Sequence, residues 1–304
     1  MAVPTSIVDQ LDAQKLHFVE VDGLRTRYYE DGSGEPLVLF HGGQYSSYYS
    51  LDSWSLNLPA LAERFHVYAV DKLGQGYTDN PPTEQDYTFD ALLRHTVGWL
   101  RAVGISSAHL AGHSRGAFLA ARLAQEQPGL ARTVTVVDSD SLAPSDPTHQ
   151  SGVFYDALDA KVPKGPPTAE SVRLEPDAQA YSREQVTDDF VARMLEIALL
   201  PKTREARRLM RDLKDRVWLP SLAAAKQDAL RRIDAEGLPC PTQIIWGFDD
   251  RSAPRRLAIA LFERICARTP RAELHLLNQA GHYSFREQPA AFHRLLRAFC
   301  LEQE

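Results

Sequence analysis

The chain has 304 residues, 44% of them hydrophobic, and a formal net charge of −6. It is long enough to bury a large core, in one domain or in one domain with a sizeable insertion. Acidic and basic residues are interleaved without a basic stripe, so we expect no nucleic-acid partner, and three cysteines without CxxC spacing (Cys240, Cys266 and Cys300) predict core side chains rather than disulfides or a metal site.

The N-terminal segment begins with MAVPTSIVDQ, which lacks the pattern of a secretory signal, and no apolar run approaches the ~18 residues of a membrane span. We therefore expect a cytoplasmic protein with no membrane partner. The first predicted element is an antiparallel hairpin, because HFVEVDGLRTRYYEDGSG alternates apolar and polar residues around Asp22-Gly23.

Six short apolar runs follow, and most are separated by stretches with helical periodicity. This alternation predicts an α/β fold with a mostly parallel, doubly wound sheet and helices on both faces. The runs are PLVLFHG, HVYAVD, AHLAGHS, TVTVVDS, TQIIWG and ELHLL.

The alternation stops between the fourth and fifth runs, where proline-rich segments lead into amphipathic helical stretches. We interpret residues 141–238 as a helical cap inserted into a core domain of residues 1–140 and 239–304. Such a cap is expected over the carboxyl ends of the strands, where open α/β sheets bind their ligands.

A G-x-S-x-G pattern joins the strand AHLAGHS to the helical stretch AFLAARLAQ, with Ser114 between Gly112 and Gly116. A serine on such a tight turn is lifted out of the sheet, and a Cβ at either glycine position would crowd the backbone. Ser114 is the predicted nucleophile.

A serine hydroxyl needs a base, and the base needs a third group to orient it. His282 lies just past the last strand-like run, and Asp249 and Asp250 follow the run before it. The order Ser, Asp, His is the order expected of this arrangement. We take Asp250 as the acid, with Asp138 and Asp140, which follow TVTVV, as the alternatives.

The loop His41-Gly42-Gly43-Gln44 follows the strand PLVLF and lacks side chains at two positions. Backbone N–H groups can stabilise an oxyanion only where side chains do not obstruct them. We predict the backbone amides of Gly43 and Arg115 as the two donors, and His41 as a brace for the loop. His113 flanks the nucleophile and is predicted to shape the pocket.

With these residues placed, the chain resembles the α/β-hydrolase superfamily. HGG, DKLGQGYTD, GHSRGAF, WGFDDRSAP and AGHYSF stand in the family's order, and the W-G-x-x-D pattern makes Asp250 the catalytic acid. Within the superfamily the chain is most similar to meta-cleavage product hydrolases. That resemblance maps an arginine that binds the substrate carboxylate onto Arg193 in DDFVARMLEI, and pocket-lining positions onto Gly42, His113 and Tyr283.

The resemblance implies hydrolysis of a carbon–carbon bond in a vinylogous diketone formed by aromatic ring cleavage, without a cofactor. Besides peroxidase activity, two alternatives stay open from the sequence. One is a carboxylesterase or amidase that uses the same triad, and the other is a non-catalytic receptor that binds a small molecule in the same pocket. A homodimer is compatible with each of them.

Overall fold

A single eight-stranded sheet organises the chain in the computed structural model, which describes residues 9–149 and 151–301. The strands occur in space in the order 1-2-4-3-5-6-7-8. Their bounds are β1 (Leu16–Val21), β2 (Leu24–Gly32), β3 (Glu35–Phe40), β4 (Phe65–Val70), β5 (Ala108–His113), β6 (Ala131–Val137), β7 (Thr242–Gly247) and β8 (Ala272–Leu277).

The predicted hairpin and the predicted parallel runs are both confirmed. β1 and β2 pair in antiparallel fashion around Asp22 and Gly23, both of which have positive φ angles, as a tight two-residue turn requires. β2 also pairs antiparallel to β4, and the remaining neighbours, from β4 to β8, are parallel.

The strand order reverses at β3. The chain moves from β3 to β4 on one side, and then crosses to β5 on the other side before continuing to β8. Ligands of open α/β sheets bind at such a reversal, outside the carboxyl ends of the strands. The loop after β3 and the residue after β5 therefore meet at the position where this fold places a site.

Eleven α-helices accompany the sheet in the described residues, and they separate into two groups. The first group is α1 (Leu58–Ala62), α2 (Phe89–Ala102), α3 (Arg115–Glu126), α9 (Arg256–Cys266), α10 (Ser284–Glu287) and α11 (Pro289–Leu301). The second lies between β6 and β7 and comprises α4 (Ser151–Asp159), α5 (Ala169–Gln179), α6 (Asp188–Leu199), α7 (Pro201–Leu213) and α8 (Leu219–Glu236), with a π-helical turn at Lys214–Trp218.

Both faces of the sheet are buried, which explains why its central strands are continuous apolar runs. Val136 and Ile244 face a core formed with α2, α3, α8 and α9. Their chain neighbours Val137 and Ile245 face the opposite core, which is formed with α1, α11 and α6. The doubly wound α/β-hydrolase fold predicted from the sequence is confirmed.

Helix α8 lies inside the range 141–238, yet it packs against α2, α3 and α9 and so covers the sheet like a core helix. Helices α4 to α6 instead contact one another, and α6 packs on the 3₁₀ turn Leu51–Trp54 of the core. The division of the chain into a core domain and a cap with those bounds stays a prediction.

The expectation that every cysteine fills the core is wrong for one of the three. Cys240 and Cys300 are buried, whereas Cys266 is exposed at the last residue of α9. In the part of the chain that the structure describes, no helix is both long and apolar enough to cross a membrane.

A buried ion pair connects the N-terminal segment to helix α10, and further contacts connect it to the core and to helix α6. Arg286 on α10 is 2% exposed, and its guanidinium lies 2.6 Å from Asp9. Asp9 also contacts the hydroxyls of Ser55 in the core and Thr187 at the start of α6. The main-chain and side-chain oxygens of Gln185 also accept hydrogen bonds from the guanidinium.

We expect Asp9→Ala to lower the free energy of unfolding by about 3–5 kcal/mol, because it leaves a buried guanidinium without its counter-charge. Urea denaturation of the variant and the wild type measures the difference. Asp188→Ala is the control, since it removes an exposed partner of Arg173 and should cost less than about 1 kcal/mol. Equal losses in the two variants would contradict the prediction.

Candidate active site

Ser114 occupies the turn between β5 and α3 with a φ of 53° and a ψ of −120°. This backbone region is strained for a residue with a side chain and is common at functional sites. A Cβ at Gly112 would collide with the carbonyl of Gly116, and a Cβ at Gly116 would collide with the carbonyl of Phe40. The two glycines therefore allow the close backbone packing that holds Ser114 in this conformation.

His282 follows β8 and forms a buried pair with Asp250. Its Nδ1 lies 2.7 Å from Oδ2 of Asp250. The other carboxylate oxygen accepts hydrogen bonds from the backbone amides of Ser252 and Ala253 and from the Ser252 hydroxyl, at 2.8–2.9 Å. With Nδ1 donating to the carboxylate, Nε2 of His282 is left as the proton acceptor.

The alternative acids have other partners. The carboxyl of Asp138 accepts from the Gly247 amide at 2.7 Å and from the Ser284 hydroxyl at 2.5 Å. Burial and the nearby charge of Asp250 raise the pKa of Asp138 well above its ordinary value. Asp140 uses its main-chain carbonyl to accept from Lys226. The structure thus brings Asp250, rather than Asp138 or Asp140, to the imidazole.

The electrostatic state of His282 follows from these neighbours. Burial lowers the pKa of the imidazole, but the carboxylates, chiefly Asp250 through its charge and hydrogen bond, outweigh that effect and raise the pKa to about 8. Asp138 and Glu175 act in the same direction. His282 therefore gains a proton readily, as a general base must.

The loop after β3 lies beside Ser114. A Cβ at Gly42 would lie 3.2 Å from Cβ of Ser114, and Gly43 has a φ of 81°. Nδ1 of His41 donates to the carbonyl of Gly42 at 2.8 Å, while its Nε2 accepts from the Lys72 amide. Because a trans peptide holds C=O and N–H in opposite directions, this bond also fixes the direction of the Gly43 N–H. The predicted bracing role of His41 is confirmed.

Two core side chains support the same loop and were not identified from the sequence. Buried Lys72 donates from Nζ to the carbonyl of Gly43 at 3.1 Å, and burial together with the positive charge of Arg115 lowers its pKa well below the ordinary value. Gln75 donates to the carbonyl of Gln44 at 2.8 Å. The backbone N–H of Arg115, at the first position of α3, has no acceptor within the helix.

His113 and Tyr283 close the site on the side of His282. Nε2 of His113 donates to the carbonyl of His282 at 2.8 Å, and the two rings lie 4.7 Å apart. The Tyr283 hydroxyl lies 2.7 Å from the Tyr49 hydroxyl and 3.1 Å from Oε1 of Gln179. Ser114, His282, His113, Tyr283, Gly42 and Gly43 thus form one cluster.

The structure does not bring Arg193, onto which the resemblance mapped a substrate-binding role, into this cluster. Its guanidinium lies 2.5 Å from Glu196 and 3.7 Å from Asp52. It lines a separate cavity of about 150 Å³ with Asp9 and Phe190. Two carboxylates already lie within ion-pair distance of the arginine onto which the resemblance mapped the binding of a substrate carboxylate.

Helix α5 contributes two site residues that the sequence analysis missed. The main-chain carbonyl of Gln179 accepts from the amide of His282 at 3.0 Å, and its side chain contacts Ser252 and Tyr155. Glu175 lies one turn earlier on the same face of α5. The spacing of Glu175 and Gln179, beside the buried Val172 and Pro176, is the signal that marks this face as inward.

Residues 35–289 match the family model described as the alpha/beta hydrolase fold. The match spans most of the chain and includes every residue of the cluster, so the protein belongs to the α/β-hydrolase family and is a hydrolase of that fold.

Individual relatives point to one branch of that family. The chain is 31% identical over 282 residues to the 2-hydroxymuconate semialdehyde hydrolase of Pseudomonas sp. (strain CF600), covering 93% of this chain and 92% of the relative. It is 27% identical to the 2-hydroxy-6-oxo-2,4-heptadienoate hydrolase of Pseudomonas putida, covering 97% and 99%. A meta-cleavage product hydrolase from Pseudomonas fluorescens IP01 superposes with a TM-score of 0.76 at 26% identity, covering 95% and 98%.

Proposed function

We propose that the protein hydrolyses a carbon–carbon bond in a dienoate produced by aromatic ring cleavage, with Ser114 as nucleophile, His282 as general base and Asp250 as the acid that orients it. The observation that carries this proposal is the buried His282–Asp250 pair, 2.7 Å apart, beside a strained serine at the carboxyl edge of the sheet. The names of the relatives supply the substrate class.

The positions of these residues support the following proposed roles. His282 moves a proton from the dienol oxygen to carbon, which gives the ketone form of the substrate, and then takes the proton of the Ser114 hydroxyl. Ser114 attacks the ketone carbon, and the amides of Gly43 and Arg115 stabilise the oxyanion. The carbon–carbon bond breaks with its electron pair on the dienolate fragment, which takes the proton held by His282. His282 then takes a proton from water, the hydroxide releases the acid from Ser114, and the proton returns to the serine oxygen.

The neighbouring charges suit this sequence of steps. Asp250 stabilises the imidazolium that forms each time His282 accepts a proton. His113, whose pKa burial and His282 lower well below the ordinary value, is neutral and fixes the position of the His282 loop without adding a competing charge. Tyr283 and Tyr49 give the pocket an aromatic wall for a planar, conjugated substrate.

The test is a single-turnover experiment with the purified protein and a coloured ring-cleavage dienoate in water enriched in ¹⁸O. We expect rapid loss of the substrate's absorbance and one ¹⁸O atom in the acid product, measured by mass spectrometry. Protein inactivated with a serine-directed fluorophosphonate is the control and should leave the absorbance unchanged.

Persistent absorbance with the active protein, together with rapid turnover of simple aryl esters, would overturn carbon–carbon hydrolysis in favour of an esterase. Binding of the dienoate with no turnover of either substrate would favour a receptor.

The pH dependence gives a further prediction. His282 acts as a base only when neutral, so kcat/KM should fall as pH falls below its pKa of about 8. At pH 6 the neutral fraction is about 1%, which predicts a value about 100-fold below the plateau. A neutral aryl ester is the substrate of choice because it does not titrate, and circular dichroism checks that the fold persists. A flat profile between pH 6 and pH 9 would contradict the role of His282.

A further inference from the structure

The side chain of Arg115 can have a function of its own, in addition to the predicted role of its backbone amide as an oxyanion donor. The positive charge of this guanidinium acts to lower the pKa values of Glu175 on α5, Tyr155 on α4 and Lys72 in the core. These three residues come from two cap helices and from the loop after β4. The guanidinium is therefore close enough to α5, α4 and the core to act on all three, and its residue directly follows Ser114 in the chain.

The same side chain lacks the partners that other arginines of the protein have. Nε of Arg115 is buried without a hydrogen-bond partner in the described residues. By contrast, Arg27, Arg193 and Arg286 each have a carboxylate oxygen within 2.5–2.7 Å. A cation next to a reactive serine, with an unused donor, is arranged to accept an anion from outside the chain.

Two further features act on an anion at this place. The positive end of the α3 dipole adds to the positive potential around Ser114. Glu175 opposes them from the cap. Burial raises the pKa of Glu175, although Arg115 and His282 act in the opposite direction, so this carboxyl is protonated more readily than an exposed glutamate.

We propose that the guanidinium of Arg115, and not that of Arg193, binds a carboxylate carried by the acyl part of the substrate, and that Glu175 is the opposing carboxyl that limits how strongly it binds. The proposal rests on the proposed function only in taking Ser114 as the nucleophile. It requires no carbon–carbon cleavage, and any acyl donor with a carboxylate at its far end is a substrate of this class.

The experiment compares 4-nitrophenyl monoesters of succinic, glutaric and adipic acid with the methyl esters of the same compounds. The two members of each pair differ in charge at the far end of the acyl chain. The ratio of kcat/KM for the anionic and neutral members removes any general loss of catalysis from the comparison.

For the acyl length that wild type prefers, we expect Arg115→Met to lower this ratio by about 10- to 100-fold, the range of a charge-assisted hydrogen bond. Arg115→Lys should retain part of the ratio, because it keeps the charge but loses the planar fork. Glu175→Gln should raise the ratio. Arg193→Met is the matched control and should leave it within about 3-fold, since that arginine pairs with Glu196 and Asp52.

An unchanged ratio in Arg115→Met, or a ratio lost in Arg193→Met, would overturn the proposal. Calorimetric titration of the Ser114→Ala protein with the preferred monoester gives a second readout that needs no turnover. Binding that survives Arg115→Met in that background would also overturn it. Charge discrimination of esters without cleavage of the dienoate would instead reject carbon–carbon hydrolysis and leave Arg115 in its role.

Discussion

Ser114→Ala is expected to lower kcat on an aryl ester by about 10⁴-fold or more, because the remaining groups can bind the substrate and stabilise an oxyanion but have no nucleophile to activate. The variant should also lose covalent labelling by a fluorophosphonate. Its fold should persist, since Ser114 is held through its backbone, which donates to Val137 and accepts from the Ser139 hydroxyl.

The matched control is Ser106→Ala, which removes an exposed serine near the opposite end of β5. It should be labelled and active at the wild-type level. Retained labelling in the Ser114→Ala protein would show that another serine reacts and would remove the central residue from the proposed mechanism.

Asp250→Asn is expected to lower kcat by about 10³- to 10⁴-fold, because an amide at this position no longer holds Nδ1–H and leaves the imidazole in the wrong tautomer. The loss should be accompanied by a fall in the pKa of His282, since Asp250 makes the largest contribution that raises it. The pH profile of the residual activity measures that shift.

Asp138→Asn is the comparison that separates the two acids. Asp138 lies in the same buried region, but its carboxyl contacts Gly247 and Ser284 and its raised pKa favours the neutral form. A neutral amide of the same shape should therefore cost less than about 10-fold in kcat. A greater loss in Asp138→Asn than in Asp250→Asn would reverse the assignment of the acid.

The fold was largely predictable because its signals are local. Except for the edge strand β8, the strands of the parallel part are apolar runs buried on two faces, and the hairpin turn is marked by Asp22 and Gly23. The position of α8 was not predictable from its own residues, since an amphipathic helix shows which face is buried but not what covers it.

The residues of the candidate site also differ in whether a local sequence pattern identifies them. Ser114 is identified by glycines two residues away on either side, and the reason for those glycines is a close approach of backbones that the pattern encodes. The choice between Asp250 and Asp138 depends on the direction of side chains at the ends of adjacent strands. The partners of Arg193 include Asp52, which is remote in sequence, and resemblance alone placed that arginine in the pocket.

The amide of His282 donates its hydrogen to the carbonyl of Gln179, at the C-terminal end of α5, and a Cβ at Gly281 would collide with that same carbonyl. An amide hydrogen exchanges with deuterated solvent only while its hydrogen bond is broken. The exchange rate at this single amide therefore reports how readily α5 and the histidine loop separate. If a substrate enters by the same motion, the hydrogen bond between His282 and Gln179 is broken during entry. Catalysis would then begin only after that hydrogen bond has formed again.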